Sequence, residues 1–583
     1  MNILLTAINA KYIHSNLAVY SLRACAGEYR DAVELAEYTI NNQKDYILEE
    51  LYKRKPDVLC FSCYIWNIDY VTDIAREYKK LCPSVPIWVG GPEVSYEVEA
   101  FLRENPYIDG VMIGEGEDTF RELCGYYAHK RKLSDIAGIA FRKNSTGNST
   151  SVNNIGGNKA GEIVFTSPRP IKNMSEIPFC YDTLDDFSNR IIYYESSRGC
   201  PFSCSYCLSS VDKTLRFRDT EIVKRELKFF IDQKVPQIKF VDRTFNCNHA
   251  HAMELWRFIK ANDNGVTNFH FEISADLLNQ EELELISDMR PGLIQLEIGV
   301  QSTNEVTIKE IHRTMKLERL KEVVRLIQSG NNIHEHLDLI AGLPYEDYDS
   351  FGRSFDEIYE LKPNQLQLGF LKVLKGSYMF EHAAEYGIVY HDKPPYEVMS
   401  TKWLSFDDVI KIKRVEEMLE VYYNSGQFEI TMKLMECIFD SAFEFFQELG
   451  DFYEANGYFG MSHSRIRRCE ILLEFLALYL HGCDSDAMTS VVLSENAGDR
   501  DNTDFDENAI DRDNTDFDEN AQIYSMIQES LIFDLYYREN CKSRPVWATD
   551  IGSFKHMTHA YCKNGKLSHV EPFHYIFPDK HTR

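Results

Sequence analysis

Three cysteines, Cys200, Cys204 and Cys207, stand in the run Ser197-Arg198-Gly199-Cys200-Pro201-Phe202-Ser203-Cys204-Ser205-Tyr206-Cys207, spaced C-x3-C-x2-C. Three thiolates can ligate three irons of a [4Fe-4S] cube and leave the fourth iron without a protein ligand, open to a small molecule. Gly199 and Pro201 forbid a regular helix, so the backbone can fold around a compact centre. Zinc is a second reading. Structural zinc usually takes four ligands as two separated pairs, and no second pair at matching spacing follows in the next few dozen residues, so it fits less well. A disulfide framework belongs to small secreted domains, whereas this chain has 583 residues, an odd total of 15 cysteines and no charged-then-apolar leader.

The run RGCPFSCSYC resembles the cluster loop of radical S-adenosylmethionine (SAM) enzymes, with Tyr206 at the aromatic position before the last cysteine. The resemblance implies that the open iron chelates the amino and carboxylate groups of SAM. It also implies that an electron from the cluster cleaves SAM to a 5′-deoxyadenosyl radical, with an electron donor such as flavodoxin or ferredoxin as partner.

Such a loop has to be held by a scaffold, and the residues around it alternate strand and helix patterns. Ile192 to Ser197, Gln237 to Asp242, Asn268 to Ser274, Leu293 to Gly299, His334 to Ile340 and Asn364 to Phe370 read as strands, with helical patterns such as Glu221 to Gln233 and Leu317 to Ser329 between them. Six such units predict a partial (β/α)6 barrel over residues 186–385, with its chemistry at the strand carboxyl ends. Asp242, Arg243, Glu272, Ser274, Glu297 and Gln301 fall at those ends and Asp338 falls within a strand. Carboxylates there need partners, either SAM or one another and Lys239 or Arg243. By resemblance, Asp242, Glu272, Ser274 and Gln301 join Tyr206 as SAM contacts, although Val241-Asp242-Arg243 stands where many members have G-G-E.

Upstream, Ile3 to Ala7, Val33 to Tyr38, Val58 to Tyr64, Ile87 to Gly90 and Gly110 to Ile113 read as strands, with helices near 16–26, 43–54, 68–80, 95–104 and 117–128. That pattern predicts a doubly wound parallel sheet over residues 1–145, with ligands at its strand ends. There stand Ser62 and Tyr64, the turn Gly90-Gly91-Pro92-Glu93, and Gly114-Glu115-Gly116. This half resembles the Rossmann-like cobalamin (B12)-binding domain of the cobalamin-dependent branch of the family, which implies that these residues contact cobalamin. It lacks the D-x-H-x-x-G motif that supplies a histidine to cobalt in some such domains, and His14 reads as a loop histidine. Cys60 and Cys63 read as buried strand residues.

Residues 146–185 read as a loop-tipped hairpin and linker. Residues 386–583 read as a mostly helical domain, with helices at Asp407 to Tyr423, Glu429 to Leu449 and Ser464 to Leu480. The phrase GFLKVLKG, starting at Gly369, resembles a group of these proteins with an uncharacterised carboxy-terminal domain (DUF4080-like). The near-identical copies from Glu495 carry eleven acids against two arginines up to Glu519 and predict a solvated, disordered stretch over 495–521.

The formal charge of -28 disfavours a nucleic-acid face, and no stretch approaches the ~20 apolar residues of a membrane span. Together with reduced cysteines this predicts a cytoplasmic enzyme. The family resemblance implies cofactors [4Fe-4S], SAM and cobalamin, and methyl transfer to an unactivated centre of a small molecule or peptide. Radical rearrangement, transfer-RNA modification and cobalamin or redox sensing stand as alternatives.

Overall fold

In the computed structural model the first sheet joins β1 (Ile3–Asn9), β2 (Val33–Thr39), β3 (Val58–Ser62), β4 (Ile87–Gly90), β5 (Gly110–Met112), β6 (Ile139–Arg142) and β7 (Ile163–Phe165), in the order β2-β1-β3-β4-β5-β6-β7. The described residues are 1–143, 161–211, 213–481, 513–538, 545–548, 556–563 and 566–574. β1 to β5 pair in parallel, each followed by a helix, as the alternating pattern predicts. All seven residues of β1 and all five of β3 are buried, because helices cover both faces. Cys60 and Cys63 belong to this core.

β6 pairs antiparallel with β5 and β7 antiparallel with β6, so the hairpin assigned to the linker is an extension of the first sheet. An exposed β5 edge would leave its backbone groups unpaired, and Ile139 and Ala140 bury against it. The expected boundary at residue 145 therefore falls within the hairpin. The tip of the hairpin lies outside the described residues.

The second sheet comprises β8 (Ile192–Tyr194), then β11 (Gln237–Phe240), β12 (Asn268–Ile273), β13 (Ile294–Gln301), β14 (His334–Ala341) and β15 (Gln365–Phe370), in the order β15-β14-β13-β12-β11-β8. Between β8 and β11 a short antiparallel pair, β9 (Ser197–Arg198) and β10 (Arg216–Phe217), brackets the cysteine loop. Along β13 the outer residues Ile294, Leu296, Ile298 and Val300 are buried, while Gln295, Glu297, Gly299 and Gln301 alternate with them and are half-buried. The period of two gives each strand an apolar side for the helices and a polar side for the lumen.

The chain divides into two compact units: Met1–Asp347 with Gly369–Ser405, and Tyr348–Leu368 with Phe406–Arg583. The first thus runs past the expected barrel end at 385. In the second, the single helix expected over Glu429 to Leu449 is two, Glu429–Ile438 and Ala442–Ala455. Asp356 accepts from Ser441 Oγ at 2.7 Å and from Phe443 N at 2.8 Å, and Ser441 caps the new helix. Tyr422, Phe439, Phe443, Phe445 and Phe446 are buried, as a helix core requires. Of the acidic copies, 495–512 lie outside the described residues; the helix Asp513–Arg538 takes in 513–521, which had been expected as disordered. A hairpin, His556–Lys563 with Lys566–His574, was not foreseen in a helical domain. Eleven cysteines among the described residues are free. Among the described residues no helix is long and apolar enough to cross a membrane.

Candidate active site

Cys200, Cys204 and Cys207 lie on the loop between β9 and β10, Cys204 buried and the other two half-buried. Gly199 holds φ +88, and a Cβ there would stand 2.6 Å from the Thr214 carbonyl oxygen, so the entry to the loop admits only glycine. Ser205 N donates to Ile311 O and Met379 N to Ser205 O, both at 2.9 Å, and these pin the loop's centre. Burial pushes the Cys200 thiol up, opposed by Thr244, whose Oγ1 lies 3.9 Å from the sulfur. All three thiols are free, and Cys200 feels the charge of the other two. Among the described residues no three Cys, His, Asp or Glu side chains converge on a single metal ion. An iron–sulfur cube does not ask for that, since each thiolate takes its own iron, so the donor set fits a cluster.

Asp242 is buried and accepts from Ser196 N (2.9 Å), Ser196 Oγ (2.6 Å) and Ser197 Oγ (2.5 Å). Burial raises its pKa to about 6 against those donors. It is committed to the segment that feeds the cysteine loop. Ser274 is similarly engaged: its N donates to Asn246 Oδ1 and its hydroxyl to Asp276. Glu272 is freer, with only Arg243 at 3.9 Å, and burial plus the nearby Glu297 and Asp338 charges lift it to about 7. Gln301 sits at φ +77 at a break in the β13–β14 register, and its side-chain oxygen is buried without a hydrogen-bond partner. A strained residue aiming an unsatisfied acceptor inward is a ligand-contact geometry.

Deeper in the lumen, Glu297 lies 2.8 Å from Lys239 Nζ and 2.9 Å from His270 Nε2. Burial pushes Glu297 up, but these partners outweigh it and hold the carboxyl at about 2. Asp338 stands 3.1 Å from His336 Nε2. Of these carboxylates, then, Glu297 is tied within the barrel by two partners, Asp338 has His336 beside it, and Glu272 is the least closely engaged.

At the first sheet's strand ends, Gly91 holds φ +122, and a Cβ would run into the Cys63 carbonyl oxygen. Ser95 Oγ donates to Gly91 O at 2.8 Å, and Gly114 N reaches Ser95 Oγ at 3.4 Å, so the two glycine turns are linked. Gly114 holds φ +76, and a Cβ there would meet nothing within 4 Å, which leaves room for a ligand against its backbone. Ser62 and Tyr64 lie at the end of β3, and the Tyr64 ring stacks on Trp66 at 4.4 Å. Gly90 packs on Met112, and Gly116 on Leu22. Glu93 accepts from the Tyr396 hydroxyl. This set fits a bulky cofactor approached by main chain and aromatic faces. His14 Nδ1 lies 2.7 Å from the Tyr193 hydroxyl on β8, and burial lowers its pKa.

The two sets of strand ends are joined. Arg198, two residues before Cys200, pairs with Glu117 at 2.5 Å and Glu115 at 3.6 Å in the turn after β5, and with Glu195 at 2.8 Å. Glu115 also holds Arg216 at 2.6 Å and is committed to this contact. Its carboxyl stays below the usual range although burial opposes it.

Comparison with known proteins matches residues 3–124 to the B12 binding domain, residues 194–358 to the radical SAM superfamily and residues 384–575 to a protein family of unknown function, DUF4080. The chain carries a B12-binding domain and a radical SAM domain. It is 27% identical over 360 residues to the cobalamin-dependent radical SAM methyltransferase TokK of Streptomyces tokunonensis, covering 58% of this chain and 49% of that one. It is 22% identical over 355 residues to the anaerobic magnesium-protoporphyrin IX monomethyl ester cyclase of Rubrivivax gelatinosus, covering 58% of this chain and 60% of the cyclase. The chain thus spans about half the length of TokK. The solved structure of the cobalamin-dependent SAM radical enzyme OxsB, with aqua-cobalamin and SAM bound, superposes with a TM-score of 0.56 at 15% identity, covering 91% of this chain and 80% of OxsB, a likeness of fold.

Two arginines at the cysteine loop carry contacts that local sequence pattern does not signal. Arg313 reaches the Tyr206 hydroxyl at 3.3 Å and the Cys204 sulfur at 3.9 Å, and also donates to Gly299 O. Its position after a left-handed His312 gives no local signal. Arg198 lay within the quoted motif, and two acids in the GEGE turn were its available partners.

Proposed function

We propose that this protein is a cobalamin-dependent radical SAM enzyme that transfers a methyl group from SAM to an unactivated centre of a small molecule or peptide. The observation that carries this reading is the ion-pair cluster of Arg198 with Glu115 and Glu117, which ties the residue just before the cysteine loop to the glycine turn after β5. Cys200, Cys204 and Cys207 would hold the cluster. Tyr206, Glu272 and Gln301 would contact SAM, while Ser62, Tyr64, Gly91 and Gly114 would line cobalamin. When bound, the cluster and cobalamin would supply the reducing electron and the methyl carrier, respectively. The chain's own part is to orient these groups and exclude water, and Glu272, at about 7, can take or give a proton near neutrality. A flavodoxin- or ferredoxin-type donor in the cytoplasm would complete the system. Radical rearrangement without methylation is the second reading, favoured by the likeness to a cyclase.

Anaerobic incubation with SAM and a reductant separates the readings. 5′-Deoxyadenosine together with S-adenosylhomocysteine supports methylation, 5′-deoxyadenosine alone supports rearrangement, and neither product overturns enzymatic turnover.

A further inference from the structure

The chain that leaves the barrel after β15 returns to the first sheet. Leu371 N donates to Ala341 O at 2.9 Å, Val398 N to Leu371 O at 2.8 Å, and Val373 N to Tyr396 O at 3.0 Å. These bonds, and an apolar cluster of Leu343, Leu371, Val373, Met379 and Val398, fix the segment to the barrel. From that anchored base the segment reaches the Gly-Gly-Pro-Glu turn and Tyr96 beyond it. The Tyr396 hydroxyl donates to Glu93. Lys375 Nζ lies 5.5 Å from the Tyr396 ring centre. Gly376, at φ +84, leaves space that the Tyr96 ring fills, since a Cβ there would run into that ring. Glu93 and Tyr96 flank Ser95, whose hydroxyl ties Gly91 to Gly114.

We propose that residues 375–396 form a retaining strap of the cobalamin site, with Tyr396 and Gly376 as its positioning residues. The inference rests on the cobalamin reading above. Tyr396 falls in the stretch matched to the family of unknown function, and the strap gives the beginning of that stretch a role. The turn it holds is linked through Ser95 to the Gly114 turn, whose open backbone leaves room for a ligand. A strap built from the barrel side also ties retention of cobalamin to an intact barrel. A hydrogen bond between a hydroxyl and a carboxylate is of the stronger kind, so its loss should be visible in a dissociation rate.

The test uses the full chain with its cluster reconstituted, loaded with hydroxocobalamin and followed by absorbance during gel filtration. Tyr396→Phe keeps the ring and removes the hydroxyl; Gly376→Ala displaces Tyr96. Each should release cobalamin about tenfold faster than the wild type, with iron–sulfur absorbance unchanged. Unchanged release in both variants overturns the strap while leaving the cobalamin reading intact. Equal loss of cluster and cobalamin also overturns it, because the residues would then serve only folding. A wild-type chain that takes up no hydroxocobalamin sinks both.

Discussion

The two sheets are built from the same strand–helix alternation, yet they expose chemistry in opposite ways. β1 and β3 are buried along their whole length, so these strands give a ligand no side chain from their bodies, and the first sheet's candidate contacts gather in its terminal turns, at Ser62, Tyr64, Gly91 and Gly114. β13 alternates buried and half-buried residues, and the lumen receives Lys239, His270, Glu272, Glu297 and Asp338. An open sheet sandwiched by helices must be apolar on both faces, whereas a curved sheet has an inner face of its own. Backbone turns suit a large cofactor held by shape, and side chains suit one whose charge has to be managed.

The largest effect that separates the two regions comes from the thiols. Cys204→Ala should abolish the broad visible iron–sulfur absorbance and SAM cleavage, and hydroxocobalamin binding should persist because the first sheet does not share the ligand. Reconstitution followed by chromatographic assay of 5′-deoxyadenosine checks it; product formation by the Ala variant would remove the cluster assignment. Next in size is the link between the regions. Arg198→Met leaves the buried Glu117 carboxylate without its guanidinium, at a cost of about 3–5 kcal/mol in denaturant unfolding. Arg198→Lys should recover only part of this, because an ammonium cannot serve three carboxylates at once. Equal stability of the three proteins would show that the regions are held together by something else.

The comparison also explains what was legible in the sequence. Strand positions in both sheets follow from apolar runs, and the glycine turns from their residue types, because these depend on nearest neighbours along the chain. The roles of Asp242 and Glu272 did not separate in the sequence: both are acids near barrel strand ends. In space Asp242 is enclosed by two serines and Glu272 faces a loosely placed Arg243. Glu93 met its partner 303 residues away at Tyr396, beyond the reach of any local pattern. The hairpin of β6 and β7 was recognised as a hairpin, but its sheet was not, since only the unpaired edge of β5 decides that.

For the first sheet, the corresponding break is Gly91→Ala. A Cβ at φ +122 against the Cys63 carbonyl oxygen should cost about 1–3 kcal/mol and weaken cobalamin binding, with the cluster spectrum retained. Gly114→Ala should destabilise the fold less, because its Cβ meets nothing, while lowering cobalamin affinity comparably. Equal affinity in the Gly114 variant would mean that cobalamin does not approach that turn.

The smallest effect sharpens the barrel's half of the comparison and depends on pH. The folded protein raises Glu272 from an ordinary 4.5 to about 7, chiefly by burial, so it favours the protonated carboxyl. The contribution to stability is therefore complete below about 4.5 and is lost as pH rises through about 7. Glu272→Gln, which is neutral throughout, should abolish that loss. The shift, in which the opposing charge of Arg243 is already included, converts to about 3 kcal/mol, and solvent screening at the exposed quarter of the side chain reduces the expected gain to about 1 kcal/mol at pH 8. Below pH 4.5 the two proteins should unfold at the same denaturant concentration. Glu297→Gln should behave in the opposite sense, because its carboxyl is held at about 2 by His270 and Lys239 and stabilises the charged state above 4.5. Unfolding curves of both variants between pH 2 and pH 8 measure the two signs together, the Glu297 difference being full above pH 4.5 and fading as pH falls towards 2. A Glu272 variant destabilised at every pH would show that the carboxylate is paired in the resting barrel, and would withdraw it from the surface offered to SAM.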